Sequence, residues 1–142
     1  MQFVYPYNVY RSDDGAWQVR FPDVPEALTE GETEAEAHTL ATDVLLAALG
    51  GLTKLRRPLP RPSRAAGRSV AVVPMLQAAK LALYQAMRER KLSNVAMARK
   101  LGLLEGEVRR MLDLDHQTRI ATLESALAHL GKRVACAVRL AA

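Results

Sequence analysis

A chain of 142 residues with 49% apolar and 25% charged side chains can fold as one ordinary domain or two small ones, and this composition excludes a disordered or fibrous polypeptide. The single Cys136 excludes an internal disulfide and is expected as a small buried apolar residue, while the lack of a long apolar run or a basic, apolar leader leads us to expect no membrane span, no signal peptide and a cytoplasmic address. The net charge of +5 conceals a split: residues 1–53 carry nine acids and two bases, a balance of −7, whereas the chain from Lys54 onward carries eighteen bases and six acids, a balance of +12. Such a split suits a first half that repels nucleic acid and attracts a basic protein and a second that pairs with phosphates, and it equally suits two solvated surfaces.

In "MQFVYPYNVY", Phe3, Tyr5, Tyr7 and Val9 alternate with smaller or polar neighbours, and "AWQVRF" repeats the pattern with Trp17, Val19 and Phe21. Asp14-Gly15 between them supplies turn chemistry, so the spacing predicts a β-hairpin with one apolar face. "PDVPEALTEG" reads as irregular because of its Pro and Gly content. Thr33 and Glu36 then form a capping box, and Ala37, Leu40, Ala41, Val44, Leu45 and Ala48 mark the buried stripe of a helix that Gly50-Gly51 is expected to end. A hairpin alone is marginal, and "RSVAVV" at 68–73 is the expected further strand of the same sheet. Residues 52–67, with three prolines and five bases, are expected to form an extended, positively charged connection.

Pro74 suits the first position of a helix and marks the expected boundary between a domain at 1–73 and one at 74–142. Leu76, Ala79, Leu83 and Met87 form the stripe of a helix ending near Arg90. In "LSNVAMARKLGLLEGEVRRML", residues 92–112, the expected interior is Leu92, Val95, Ala98, Leu101, Leu103, Val108 and Met111, with a turn at Gly102. Two short crossed helices fit this pattern, as does an ordinary helical hairpin. A further helix from about Ile120 uses Leu123, Leu127 and Leu130 and closes at Gly131. In "VACAVRL", Val134, Cys136, Val138 and Leu140 alternate with small or polar residues, which predicts a strand that pairs with its copy in a second subunit. The expected fold class is α+β: a small sheet with a helix, then an all-helical domain with a C-terminal strand.

Catalysis is not expected. Asp13, Asp14, Asp23 and Asp43 do not make a strand-borne carboxylate cluster of the kind that holds two metal ions. His38, His116, His129 and Cys136 lack ligand spacing, and neither a paired nucleophile nor a Gly-rich phosphate loop is present, so no metal and no cofactor are expected.

Residues 92–112 resemble the Xre/Cro class of repressor domains, in which the second helix of a helix-turn-helix lies in the major groove. Position by position, this resemblance implies that Glu105, Gly106, Glu107 and Arg110 face bases, and that Asn94, Arg99, Lys100 and Arg109 serve phosphates or flanking contacts. Leu104 departs from the Ser or Thr cap common in that class, and Gly106 weakens the helix start by roughly 1 kcal/mol relative to Ala. Glu105 and Glu107 suit either of two roles, accepting a hydrogen bond from cytosine N4 or complementing the helix dipole.

"FPDVPEALTEGETEAEA" resembles the signature of HicB-type antitoxins, and "LDLDHQTRIATLESALAHLGKRV" resembles the variant of that family that ends in a helix-turn-helix. The resemblance implies a partial RNase-H-like domain, without its catalytic constellation, that blocks a small basic RNA-cleaving toxin of the HicA type. It also implies repression of the protein's own operon, with a dimer on an inverted-repeat operator; whether dimers pair into tetramers stays open. Asp13, Asp14, Asp23, Glu26, Glu30 and Glu32 are the candidate acidic contacts to toxin, with Trp17 a candidate anchor that equally suits the hairpin core. The rival reading is a stand-alone Xre-type regulator whose first domain senses a ligand or dimerises.

Overall fold

The computed structural model describes residues 1–140. The chain divides into two compact units, one of Met1–Pro74 and one beginning at Met75. Each has its own core, and the fold class is α+β.

The first unit is a four-stranded antiparallel sheet in the order β3-β2-β1-β4, made of β1 (Val4–Arg11), β2 (Trp17–Phe21), β3 (Val24–Gly31) and β4 (Ser69–Val72). The helix α1 (Glu34–Lys54) packs on one face. Alternation explains the strands: Tyr5, Tyr7, Val19 and Phe21 are buried beneath Ala37, Ala41, Leu45 and Leu49 of α1, while Asn8, Tyr10 and Arg20 stay exposed. The hairpin turn closes as expected, with Gly15 at φ 90° and its N–H donating to Ser12 O at 2.9 Å.

The stretch expected to be irregular is in fact β3. Its outer position in the sheet explains the discrepancy, since a strand paired on one side only tolerates Pro25, which has no N–H to give. Val24, Ala27 and Gly31 still point into the core. At the handover to α1, a Cβ on Gly31 would stand 2.8 Å from the backbone nitrogen of Ala37, so only glycine fits there.

The helix α1 begins as expected, with Thr33 Oγ1 accepting from Glu36 N at 3.1 Å and Glu36 Oε2 accepting from Glu32 N at 2.7 Å. It does not stop at Gly50-Gly51. It continues to Lys54 because Leu52, three residues beyond buried Leu49, reaches the same core. Burying one leucine is worth about 1.5–3 kcal/mol, comparable to the cost of two glycines at roughly 1 kcal/mol each. The stop comes at Arg56, with φ 56°, where Arg57 N donates to Leu52 O and Arg56 N to Thr53 O, a Schellman closure without glycine.

The Pro-rich connection lies along the first unit. Tyr5 Oη donates to Pro60 O at 2.8 Å, and the Asp23 carboxylate accepts from Ser63 N at 2.8 Å and Ser63 Oγ at 2.9 Å.

The second unit contains α2 (Met75–Glu89), α3 (Asn94–Leu101), α4 (Glu105–Leu112) and α5 (Ile120–His129). Its core is Ala79, Leu83, Ala86, Met87, Met97, Ala98, Val108, Met111, Leu123, Ala126, Leu127 and Leu130. Ser93 caps α3 by accepting from Ala96 N at 3.0 Å, and Gly102 ends it at φ 69°. One expected interior residue is outside: Val95 is 50% exposed, and Met97 takes the inward place beside Ala98. In a helix of eight residues, the first turn overhangs the core and the apolar phase is set by the second.

Among the described residues, 131–140 form neither helix nor strand in the single chain. The expected strand at 134–140 needs a ladder, and the isolated chain supplies no partner for it. Val134 rests against the core, but Val138 and Leu140 are almost fully exposed. Cys136 is exposed too, contrary to the expectation of burial, because that segment has nothing to pack on.

Candidate functional site

Two surfaces carry chemistry, one in each unit. In the second unit it is the pair α3 and α4. The Leu104 side chain cannot cap α4, and Glu107 compensates: its Oε2 accepts from Leu104 N at 2.8 Å, half of a capping box. Glu105 pairs with Arg109 Nη2 at 3.3 Å across one helical turn. Both carboxylates therefore have partners within the chain, in the first turn where the helix dipole favours them.

The bare Cα of Gly106 lies between two cations. A Cβ placed on it would stand 3.5 Å from Arg110 Nη1 and 3.6 Å from Arg109 Nη2. The structure thus brings Glu105, Gly106, Arg109 and Arg110 into one cluster on the outer face of α4. Glu107 sits apart from them, tied to Leu104. On α3, Arg99 and Lys100 are exposed in the last turn and Asn94 is half-buried at the first. Guanidinium and ammonium groups donate hydrogen bonds and never accept them, which suits phosphate oxygens and guanine edges.

Behind this face lies a residue that the sequence reading passed over. Lys80 of α2 is fully buried, and its Nζ donates to Arg110 O at 2.9 Å and to Thr118 Oγ1 at 2.7 Å. Burial pushes the Lys80 ammonium below its usual value, with nearby Asp113 acting the other way. The signal was present: Leu76, Lys80, Leu83 and Met87 follow the spacing of a buried stripe.

In the first unit the register gathers acids at one end. Arg11 stands opposite Trp17, and Trp17 opposite Gly31, so the hairpin turn, the end of β3 and the start of α1 share that end of the sheet. Asp13, Asp14, Glu30, Glu32, Glu34 and Glu36 lie there, all exposed. Asp14 accepts from the Ser12 hydroxyl and from Ala16 N, contacts that hold its carboxyl below the usual range. Trp17 is half-buried at the same end. Glu26 and Asp23 belong to the other end, and Asp23 is engaged with Ser63. Glu34 and Glu36 were not among the acidic contacts expected from sequence, since only the register shows that a helix start meets a hairpin tip.

The electrostatic division expected at Lys54 also moves. The first compact unit runs on to Pro74 and includes Lys54, Arg56, Arg57, Arg61, Arg64 and Arg68, so it holds eight bases against nine acids, a balance of −1. The second unit balances at +6, with twelve bases and six acids. The first unit is therefore charge-separated rather than anionic throughout. Acids flank the start of α1, and Lys54 closes it with Arg56 and Arg57 just beyond, about 30 Å away at 1.5 Å per residue.

Among the described residues, no three His, Cys, Asp or Glu side chains come together as metal ligands. No helix there is long and apolar enough to cross a membrane.

Comparison with known proteins agrees with the signature in the first unit. A family model described as the HicB-like antitoxin of bacterial toxin-antitoxin systems matches residues 4–82. The chain is 40% identical over 130 residues to antitoxin HicB 2 of Photorhabdus laumondii subsp. laumondii, covering 92% of each protein. It is 34% identical over 131 residues to antitoxin HicB of Escherichia coli, covering 92% of this chain and 95% of that one. With antitoxin HicB of Pseudomonas fluorescens it shares 32% identity over 143 residues, 99% of this chain and 97% of the relative.

Proposed function

Because the chain belongs to the HicB-like antitoxin family, we propose that its first unit neutralises a small basic mRNA-cleaving toxin of the HicA type, and that its second unit represses its own operon by binding operator DNA as a dimer. The gathering of Asp13, Asp14, Glu30, Glu32, Glu34 and Glu36 at one end of the sheet carries this reading. A nuclease that grips RNA presents cations, and a compact anionic end steers association with it and shields those cations from substrate. The action is occlusion in a stoichiometric complex rather than catalysis.

The DNA half is supported by the +6 balance of the second unit and by Arg109 and Arg110 beside Gly106. α4 is read as the second helix of an Xre/Cro-like helix-turn-helix, seated in the major groove. The intrachain partners of Glu105 and Glu107 support this reading, since they account for two carboxylates without making them opponents of phosphate. Dimerisation is assigned to residues 134–140, whose exposed Val138 and Leu140 and unpaired backbone are completed by the same segment of a second copy.

The experiment is co-expression with the neighbouring reading frame, which this reading expects to be short and basic, followed by co-purification and an RNA-cleavage assay. The expected result is a complex that leaves transcripts intact. Replacement of Asp13, Glu30 and Glu32 together by Asn and Gln is expected to slow association about ten-fold or more and to flatten its salt dependence. Free cleavage in the presence of excess wild-type chain would remove the antitoxin mechanism.

A further inference from the structure

The most unusual group in the second unit is an ammonium in its core. α4 has only eight residues, and its last carbonyls need partners from outside the helix. Asp113 N reaches Arg109 O at 3.1 Å and Arg110 O at 3.2 Å, and Arg110 O takes a second donor from another helix, Lys80 Nζ at 2.9 Å. The same ammonium takes Thr118 Oγ1, two residues before α5. One buried cation thus joins α2 to the end of α4 and to the segment that leads into α5.

Stability alone does not account for it. A methionine of similar length would pack in the same place without the cost of desolvating a charge, and buried ions are often neutral or worse than apolar replacements. What an ammonium provides, and a thioether does not, is direction: tetrahedral donors whose partners stand at fixed distances. The residue whose carbonyl it holds is Arg110, one of the two guanidinium carriers beside Gly106.

We infer that Lys80 is a positioning residue for DNA recognition, holding the last turn of α4 against the segment that leads into α5 so that Arg110 leaves the helix at the angle that base edges require. This rests on the proposal that α4 reads DNA. Lys80 itself touches no nucleic acid, being fully enclosed. Its contribution therefore appears in the preference for the operator over unrelated duplex, because base contacts depend on orientation while phosphate contacts tolerate small rotations.

The test measures affinity of the full-length chain for its own promoter and for an unrelated duplex, each at several salt concentrations, for wild type, Lys80→Met and Thr118→Val. The expected result for Lys80→Met is a loss of about ten-fold or more in operator preference, with non-specific affinity and salt slope unchanged because no phosphate contact is removed. Thr118→Val, which keeps the ammonium on Arg110 O, is expected to lose less in the same direction. The double variant is expected to be no worse than Lys80→Met, since the two groups share one hydrogen bond. Should Lys80→Met fail to fold, Thr118→Val decides by the same ratio. Unchanged preference in the folded variants, even with a lower melting temperature, overturns the positioning role and leaves Lys80 a packing residue; equal losses on both duplexes overturn it too. A wild-type chain without operator preference defeats the DNA reading itself, a result separate from either of these.

Discussion

The two units spend charge differently. The first keeps every ionised group at its surface and gathers six of its acids around the start of α1, and its buried polar side chains are neutral hydroxyls, Tyr5 paired with Pro60 O and Tyr7 with His38 Nδ1 at 2.7 Å. The second carries its cations outside as well, yet places one ammonium in its core. A surface distribution attracts a partner over distance and tolerates change at any single site. A buried charge fixes one geometry and fails when one partner is removed. This contrast fits a first unit that meets a protein surface by field and a second that meets base edges by angle.

The largest expected effect tests whether the units are independent. Phe21 lies in the first core with its ring centroid 5.2 Å from that of Tyr7. Phe21→Ala should cost about 3–5 kcal/mol, enough to unfold a small unit. Toxin protection should then be lost while promoter binding survives, read by RNA cleavage and by gel shift on one preparation. Loss of both would show that the two units share one cooperative transition, and the comparison above would no longer hold.

Alkaline titration should divide the units by sign. Burial, and secondarily the charge of Asp23, raises the Tyr5 pKa from 10.0 to about 12. A raised folded value means that the stabilisation is complete below pH 10 and is lost as pH rises through 12, about 2–3 kcal/mol in all. Tyr7, raised chiefly by burial, acts in the same direction. Lys80 is the reverse case. Its folded value lies below 10.5, so the unfolded chain holds the proton more firmly, and the second unit gains stability as pH climbs toward 10.5. Trp17 is the sole tryptophan, and its emission during urea unfolding reports the first unit. Midpoints from Trp17 should fall between pH 10 and 12, and those from hydrogen exchange of backbone amides in α2 to α5 should not fall as pH climbs to 10.5. A common fall of both in the lower range would erase the distinction.

How much of this was legible in the sequence depends on how far each feature's cause lies along the chain. The hairpin, the Thr33 and Glu36 cap, the Gly102 turn and the stripe of α2 were readable because period and capping are local. β3 was not, since Pro25 and Gly31 suggest a loop until β2 supplies a ladder on one side and α1 presses on the glycine. The end of α1 was misplaced at Gly50-Gly51 because the gain from burying Leu52 belongs to a core built elsewhere. At the candidate sites, residue types were visible but not their company. Asp23 gives no hint of Ser63 forty residues on, and Lys80 none of Arg110 and Thr118.

The smallest expected effect concerns the carboxylate that first set α4 apart. Glu105 and Arg109 are partly exposed, so their pair contributes only about 0.2–0.5 kcal/mol, and Glu105→Gln should barely move the melting temperature. Its effect on DNA separates two roles. If Glu105 merely restrains Arg109, the Gln variant releases a guanidinium that can then pair with phosphate. Operator and unrelated duplex should then both bind several-fold more tightly, with a steeper salt slope. If Glu105 accepts from a cytosine N4, the gain on unrelated duplex remains, but the operator loses a base contact worth about 1–3 kcal/mol, and the preference falls. The pairing with Arg109 favours the first outcome, because a carboxylate already holding a guanidinium must surrender it before it reaches a base. A fall in preference in the Gln variant would therefore mean that the ion pair opens on binding, and that the second unit sets its specificity with an exposed carboxylate as well as with a buried ammonium.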